Sequence, residues 1–146
     1  YSVVTTARSG KFVAFEDLSA AGVDSVVSLY DLNTRRLFTL DDYGDESVFD
    51  LAFLPNDRLL VLYSQGLSGT QRLRLYDLPS LEPLLKDVPT DSDLDPETLN
   101  PFVFERTLAD LPSTAKAIRI TDTSVVLVDE SDNVAEPLYQ IPLAEL

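Results

Sequence analysis

The chain has 146 residues, of which 45% are apolar and 25% are charged, so we expect one domain of ordinary size with a sizeable core. Its 11 basic and 25 acidic residues give a net charge of −14 at pH 7. Such a surface repels phosphate backbones and anionic lipids, and we expect neither nucleic-acid binding nor membrane insertion. Cysteine and histidine are both absent, which excludes disulfides, thiol nucleophiles and Ser-His-Asp catalysis within the chain.

The first predicted unit, residues 1–45, consists of four short strands joined by turns. Apolar residues precede a turn at Ser9-Gly10, and a second apolar run follows at residues 12–15. The third strand ends in Leu29-Tyr30-Asp31-Leu32, after which a turn leads into a short fourth strand. Because aspartate readily bonds nearby backbone amides, Asp31 is expected to cap this turn rather than to act in catalysis, and its counterpart in the next unit likewise.

The second unit, residues 46–87, repeats this order. Its continuous apolar run at residues 59–62 is typical of a strand that is buried on both faces. Its third strand ends in Leu75-Tyr76-Asp77-Leu78, in which Tyr76 lies 46 residues after Tyr30. No helical periodicity is sustained before residue 90, so we expect a turn at Pro79 and then a short last strand.

Side chains alternate along the third strand of the second unit. Arg72, Arg74 and Tyr76 are predicted on one face, and Leu73 and Leu75 on the other. Paired arginines are able to hold a carboxylate or phosphate ligand. In so acidic a chain, we instead expect exposed cross-strand ion pairs that contribute little stability each. The recurring tyrosines are expected to pack rather than to form a recognition stack.

Residues 88–112 interrupt the repeat and are predicted to be an acidic insertion loop on one face of the domain. Asp95 is expected to cap a short helix that begins at Pro96 and stops before Pro101. The residues from 102 to 106 have an extended pattern.

Alternating carboxylates in this insertion form a candidate calcium site, because calcium binds several oxygen ligands on a flexible loop. The candidate ligands are Asp91, Asp93, Asp95 and Glu97. The EF-hand pattern fails, because Pro96 and Phe102 stand at its glycine and glutamate positions. A solvated acidic loop without a metal is the alternative interpretation.

A second acidic cluster lies between the first two units and contains Asp41, Asp42, Asp45 and Glu46. Two carboxylates facing each other across a cleft are able to perform acid–base chemistry, as in glycosidases. A loop between two units is the favoured interpretation.

The third unit, residues 113–146, carries the motif Leu138-Tyr139-Gln140-Ile141, in which glutamine replaces the aspartate. Tyr139 lies 63 residues after Tyr76, which indicates an insertion of about 20 residues relative to a repeat of 40–45. The turn at Asp122-Thr123-Ser124 precedes an apolar strand, and no room is left for a fourth strand before Leu146.

These motifs resemble those of bacterial β-propeller repeats. The segment Arg8-Ser9-Gly10-Lys11-Phe12-Val13-Ala14-Phe15 is similar to their Ser-Pro-Asp-Gly-Lys-x-Ile-Ala-Phe turn and strand, and the Leu-Tyr-Asp-Leu motifs resemble the third strand of Tol-Pal-type and WD-repeat-like blades. The resemblance implies an all-β domain over residues 1–146, with about three four-stranded antiparallel blades. Because closed propellers use four to eight blades, we expect part of a larger propeller or one completed by oligomerisation, with an open sandwich as the structural alternative.

The resulting functional hypothesis is a non-catalytic scaffold that associates with a protein partner, or with itself, through open blade edges. One alternative is a propeller hydrolase of the lactonase or glycosidase kind that uses carboxylates. Another is a calcium-stabilised extracellular surface or matrix protein. The repeat type, the acidity and the absence of an initiator methionine favour an extracellular or periplasmic location, with a cytoplasmic one as the alternative.

Overall fold

The structure is a computed structural model that describes residues 2–18, 25–44, 46–65, 70–89, 92–109, 114–129 and 134–146. Twelve strands and two α-helices form most of this part of the chain, which confirms the all-β prediction. The strands are β1 (Ser2–Arg8), β2 (Phe12–Leu18), β3 (Ser25–Asp31), β4 (Arg36–Gly44), β5 (Ser47–Phe53), β6 (Leu59–Gln65), β7 (Thr70–Tyr76), β8 (Ser92–Asp93), β9 (Val103–Leu108), β10 (Ala117–Ile120), β11 (Ser124–Val128) and β12 (Tyr139–Pro142). The helices are α1 (Leu78–Leu85) and α2 (Pro96–Leu99).

The strands form three sheets in chain order. The first has the order β1-β2-β3-β4-β8, the second β5-β6-β7-β9 and the third β10-β11-β12. All neighbouring pairs are antiparallel except the two-residue strand β8, which runs parallel to β4. In the described part of the chain, the third sheet therefore ends at β12, while the second has a complete fourth strand.

The second sheet lies between the other two and packs on both. Leu59, Val61 and Tyr63 of β6 belong to the apolar cluster shared with the first sheet. Leu60 and Leu62 belong to the cluster shared with the third sheet. Since successive side chains of a strand point to opposite faces, β6 carries apolar or aromatic side chains at every position from Leu59 to Tyr63. The predicted burial of this strand on both faces is confirmed.

The turns use the polar residues that the sequence indicated. Ser9 Oγ accepts hydrogen bonds from the backbone amides of Lys11 at 3.2 Å and Phe12 at 3.0 Å. Asp31 Oδ1 accepts from the amides of Asn33 at 2.9 Å and Thr34 at 3.2 Å. The turn-capping role predicted for Asp31 is thus confirmed.

Helix α1 stands where a turn and a strand were expected, and the prediction of no helix before residue 90 is wrong. Asp77 caps its first turn, with Oδ2 accepting from the Ser80 hydroxyl at 2.8 Å. Pro79 lies in that first turn, where no amide donor is required. The helix buries Leu78, Leu81 and Leu85, which lie on one face of it. With only eight residues, the helix is too short for this spacing to be recognised as a helical period in the sequence.

The segment expected to be an insertion loop supplies the fourth strand of the second sheet. Asp95 caps α2 by accepting from the Glu97 amide at 3.0 Å, as predicted, and a short 3₁₀ turn at Asn100–Phe102 follows. Strand β9 then pairs with β7, in agreement with the extended pattern. The inserted residues therefore lie between the third and fourth strands of the second sheet rather than after it.

No helix in the described part of the chain combines the length and the apolar character needed to cross a membrane.

Candidate functional site

The main polar site is a network of side chains between the first two sheets. Strands β4, β6, β7 and β9 each contribute to it from positions that face the gap between those sheets. Its members are Asp41, Tyr43, Tyr63, Arg72, Arg74, Tyr76 and Glu105.

Arg74 lies at the centre of this network. Its Nη1 is 3.0 Å from Asp41 Oδ2 on β4, and its Nη2 is 2.6 Å from Glu105 Oε2 on β9. Its Nε also donates to Glu105 Oε2 at 2.8 Å, and the second oxygen of Glu105 lies 2.5 Å from Arg72 Nη1. Because β7 and β9 pair with Arg74 directly opposite Glu105, the cross-strand ion pairs predicted for both arginines are confirmed. They are partly buried rather than fully exposed.

Three tyrosines surround the guanidinium. The Tyr76 hydroxyl donates to Asp41 Oδ2 at 2.7 Å and is hydrogen-bonded to the Tyr43 hydroxyl, while the Tyr63 hydroxyl donates to Glu105 Oε2 at 2.6 Å. The Arg74 guanidinium lies 5.2 Å from the centre of the Tyr43 ring and 5.0 Å from that of Tyr63. At these distances a cation is attracted to the face of an aromatic ring.

The surroundings fix the protonation of the network. Burial raises the pKa of Tyr43, of Tyr76 and of Tyr63, so these phenols stay neutral and act as donors. Burial alone would also raise the pKa of Glu105, but hydrogen bonds from Tyr63, Arg72 and Arg74 outweigh it and the pKa is lowered. Glu105 is therefore ionised at neutral pH.

A cavity of about 370 Å³ borders this network. Asp41, Arg74 and Glu105 form its charged wall, and Leu99 and Val103 contribute apolar surface. Two carboxylates on one cavity are the arrangement that a glycosidase requires, but one of them must then be a protonated general acid with a raised pKa. Glu105 has a lowered pKa, and Asp41 and Glu105 each accept hydrogen bonds from Arg74 and a tyrosine. The geometry favours a polar clamp between two sheets over acid–base catalysis.

A partly buried carboxylate, that of Asp50, joins the second sheet to the third. Asp50 Oδ2 accepts from the Ile118 amide on β10 at 2.7 Å, and Oδ1 accepts from the Leu51 amide at 2.9 Å. Burial raises the pKa of Asp50, although these two bonds and Arg119, with Nη1 at 3.6 Å, act in the opposite direction. Asp50 thus ties neighbouring first strands together.

The candidate calcium ligands are only partly described. Asp93 is exposed on β8, Asp95 uses its carboxylate to cap α2, and Glu97 is exposed in the same helix, while Asp91 lies outside the described residues. Within the ranges that the structure describes, no three acidic side chains converge in a way that would hold a metal ion. The calcium site stays a prediction.

The acidic cluster between the first two units is divided by the fold. Asp41 points into the network, whereas Asp42 is exposed and its Oδ1 accepts from the Gly44 amide at 2.8 Å. Asp45 lies outside the described residues.

The alternation of β7 was enough to place Arg72, Arg74 and Tyr76 on one face. Their partners Tyr63 and Glu105 were not predicted. These two residues lie 11 and 31 positions from Arg74 in the sequence, and only strand pairing brings them close to it.

Two surface grooves flank the three sheets. One, of about 710 Å³, lies over the outer face of the first sheet, where half-buried Phe15, Val26 and Leu37 form its floor. The other, of about 470 Å³, lies beside the edge strand β12, and its lining includes Leu75, Ile141 and the exposed ring of Phe104. Comparisons of the chain with protein-family models, with curated proteins and with solved structures find no match.

Proposed function

We propose that this chain is a non-catalytic interaction module of propeller-type blades, which assembles with copies of itself or with a protein partner through surfaces that the stack of three sheets leaves open. The observation that carries the proposal is the contrast between the middle sheet and its neighbours. The second sheet is covered on both faces, whereas the described part of the chain leaves the outer face of the first sheet and the edge of the third uncovered.

The blade interpretation is supported by how the sheets are arranged. The first strand of each sheet lies beside the first strand of the next, with β1 against β5 and β5 against β10. The same irregularity also recurs: a register shift of one residue lies between Val3 and Thr5 in β1, and between Val48 and Asp50 in β5. Bulges that recur at equivalent positions are features of a repeated unit.

The assembly interpretation is supported by the exposed apolar surface. Phe104 is 60% exposed and stands opposite Leu75 of β7, a residue of the apolar cluster that the second sheet shares with the third. Strand β12 is short and contains Pro142, which is typical of a sheet edge. An uncovered edge next to an apolar groove is a surface on which proteins add a strand or a partner.

The solution mass of the chain tests the proposal. Light scattering after size exclusion, over a wide range of concentrations, is expected to give a discrete multiple of 16.2 kDa or, with a partner present, a defined complex. The measurement is repeated with calcium and with a chelator, because a multiple that forms only with calcium would support the calcium-stabilised alternative instead. A chain that stays at 16.2 kDa and captures no partner would contradict the proposed function.

A further inference from the structure

The two contacts between neighbouring sheets are unequal in apolar burial. In the described part of the chain, the cluster between the first and second sheets contains 18 buried residues, five of them aromatic. The cluster between the second and third sheets contains 11 buried residues, none of them aromatic. Because aromatic side chains bury the largest apolar areas, the third sheet is held by a much smaller part of the core than the first.

The insertion in the second unit ties the first two sheets together a second time. Lys11, in the turn between β1 and β2, forms an ion pair with Glu82 of α1 at 2.8 Å. Arg36 of β4 donates to the Leu85 carbonyl at the end of the same helix at 2.9 Å, and β8 pairs with β4. Separating the first two sheets therefore breaks these contacts together with the polar network and the larger apolar cluster.

The polar contacts described between the second and third sheets all lie at the start of the third sheet. The side-chain amide of Gln71 on β7 accepts from the Ala115 amide and donates to the Ala115 carbonyl, both at 2.8 Å. Asp50 accepts from the Ile118 amide at 2.7 Å and lies 3.6 Å from Arg119 Nη1. Strands β11 and β12 contribute apolar side chains to the cluster. Opening this contact thus costs a few hydrogen bonds and the smaller cluster.

We infer that strands β10, β11 and β12 open and reclose as one unit while the first two sheets stay folded, and that copies of the chain associate by exchanging this sheet. Opening of a weakly held unit requires less free energy than global unfolding. It exposes Leu60, Leu62, Leu73 and Leu75 of the second sheet. The third sheet of a second copy fits this face, because the chain's own third sheet already covers it, and exchange of an identical element is a low-cost route to a dimer. This inference depends on the proposed function, since it names a second copy as the partner and adds a surface that opening supplies.

Hydrogen exchange of the full chain at low urea concentrations tests the opening. The amides of β10, β11 and β12 are expected to exchange through one common opening, with a smaller dependence on urea than the amides of β2, β3 and β6. Gln71→Ala is expected to speed exchange in the third sheet by ~10-fold and to leave β2 and β3 unchanged, because it removes an anchor of the third sheet alone. Asp41→Asn is the matched control, since it removes an anchor between the first two sheets and leaves opening of the third unchanged. Third-sheet amides that exchange only with global unfolding would overturn the inference.

Cross-linking of the associated chain tests the exchange. The chain has no cysteine of its own, so a short thiol-specific cross-linker reacts only at introduced positions. The double variant Gln71→Cys with Ala115→Cys places one thiol on each side of the contact between the second and third sheets. In the associated fraction from size exclusion, it is expected to give cross-links between chains, which appear as a dimer on a denaturing gel. The matched control, Lys11→Cys with Glu82→Cys, spans the first sheet and α1 and is expected to give cross-links within one chain only.

The outcomes separate this inference from the proposed function. If the chain associates but the pair at positions 71 and 115 cross-links only within one chain, copies meet without exchange, and the inference is overturned while the proposed function stands. Cross-links between chains at positions 11 and 82 would also overturn it, because the first sheet would then be exchanged as well. If the wild type is monomeric at all concentrations and captures no partner, both are overturned.

Discussion

The guanidinium of Arg74 on β7 lies 3.0 Å from the carboxylate of Asp41 on β4, and this ion pair crosses from the second sheet to the first. The apolar cluster around it holds the two sheets together without regard to register, since burial of apolar surface is non-directional. The directional bonds of Arg74 and Asp41 instead select one relative position of the two sheets. Removing Arg74 leaves Asp41 partly buried and without the cation that it faces, whereas removing Asp41 leaves Arg74 with Glu105 as its remaining carboxylate partner among the described residues.

Asp41→Asn is expected to lower the free energy of unfolding by about 1–3 kcal/mol, because the amide cannot replace the charge that faces Arg74 or accept from Tyr76 as strongly. Urea denaturation measures the change. Asp42→Asn is the matched control, since Asp42 is exposed and Asn still accepts from the Gly44 amide; a change within ~0.5 kcal/mol is expected there. Equal losses in the two variants would contradict the proposed clamp.

Glu105 is expected to make the fold less stable at acid pH than at neutral pH. Its pKa is lower in the folded chain than its ordinary value of 4.5, so its contribution is fully present above that value and is lost as the pH falls through the folded-state pKa. Glu105→Gln is therefore expected to be less stable than the wild type at pH 7, with a difference that shrinks steadily below pH 4.5.

Chemical denaturation from pH 7 to pH 3 measures this difference. Glu97→Gln is the control, because Glu97 is exposed on α2 and forms no ion pair within the described residues; its profile is expected to follow that of the wild type. A Glu105→Gln profile that runs parallel to the wild type throughout would show that Glu105 gains nothing from its ion pairs.

Local patterns in the sequence predicted the strands well because a strand imposes a period of two on its side chains. The apolar run of β6 and the alternation of β7 follow directly from the positions of their sheet between two others. The caps at Asp31 and Asp95 were also predictable, since such bonds involve only residues two or three positions apart. These features depend on neighbours in the chain.

The site could not be predicted to the same degree, because its contacts are long-range. Tyr63 and Glu105 are 42 residues apart and meet only through the pairing of β6, β7 and β9. Helix α1 was missed because its eight residues include two prolines, which normally argue against a helix, and its buried leucines complete only two turns. The position of the inserted segment inside the second sheet likewise required the pairing of β9 with β7.

Two variants of Asp50 are expected to separate the contribution of hydrogen bonding from that of charge at the contact between the second and third sheets. Asp50→Ala leaves the Ile118 amide without its acceptor and is expected to cost about 1–3 kcal/mol. Asp50→Asn keeps an oxygen acceptor and is expected to lie closer to the wild type. Because burial raises the pKa of Asp50, the ionised form is disfavoured in the folded chain, and its cost is removed as the pH falls through that pKa.

The pH profiles of these two variants provide the measurement. The advantage of the wild type over Asp50→Asn is expected to grow as the pH falls, because protonation of the wild-type carboxyl removes the cost of its charge. An Asp50→Asn variant that is as unstable as Asp50→Ala at neutral pH would instead show that the charge itself stabilises the contact.

Three of the six tyrosines are expected to resist ionisation while the chain is folded. Burial raises the pKa of Tyr43, Tyr76 and Tyr63 well above 10, so an absorbance titration at alkaline pH should show these phenols ionising only as the fold is lost. A raised folded-state pKa of an acid means that stability falls as the pH rises above the ordinary value of about 10, because the unfolded chain then releases protons that the folded chain retains. In concentrated urea, all six tyrosines are expected to titrate together near that value. Tyr63→Phe should reduce the number of late-ionising groups by one; a folded chain whose tyrosines all ionise near pH 10 would show that the network between the first two sheets is open to water.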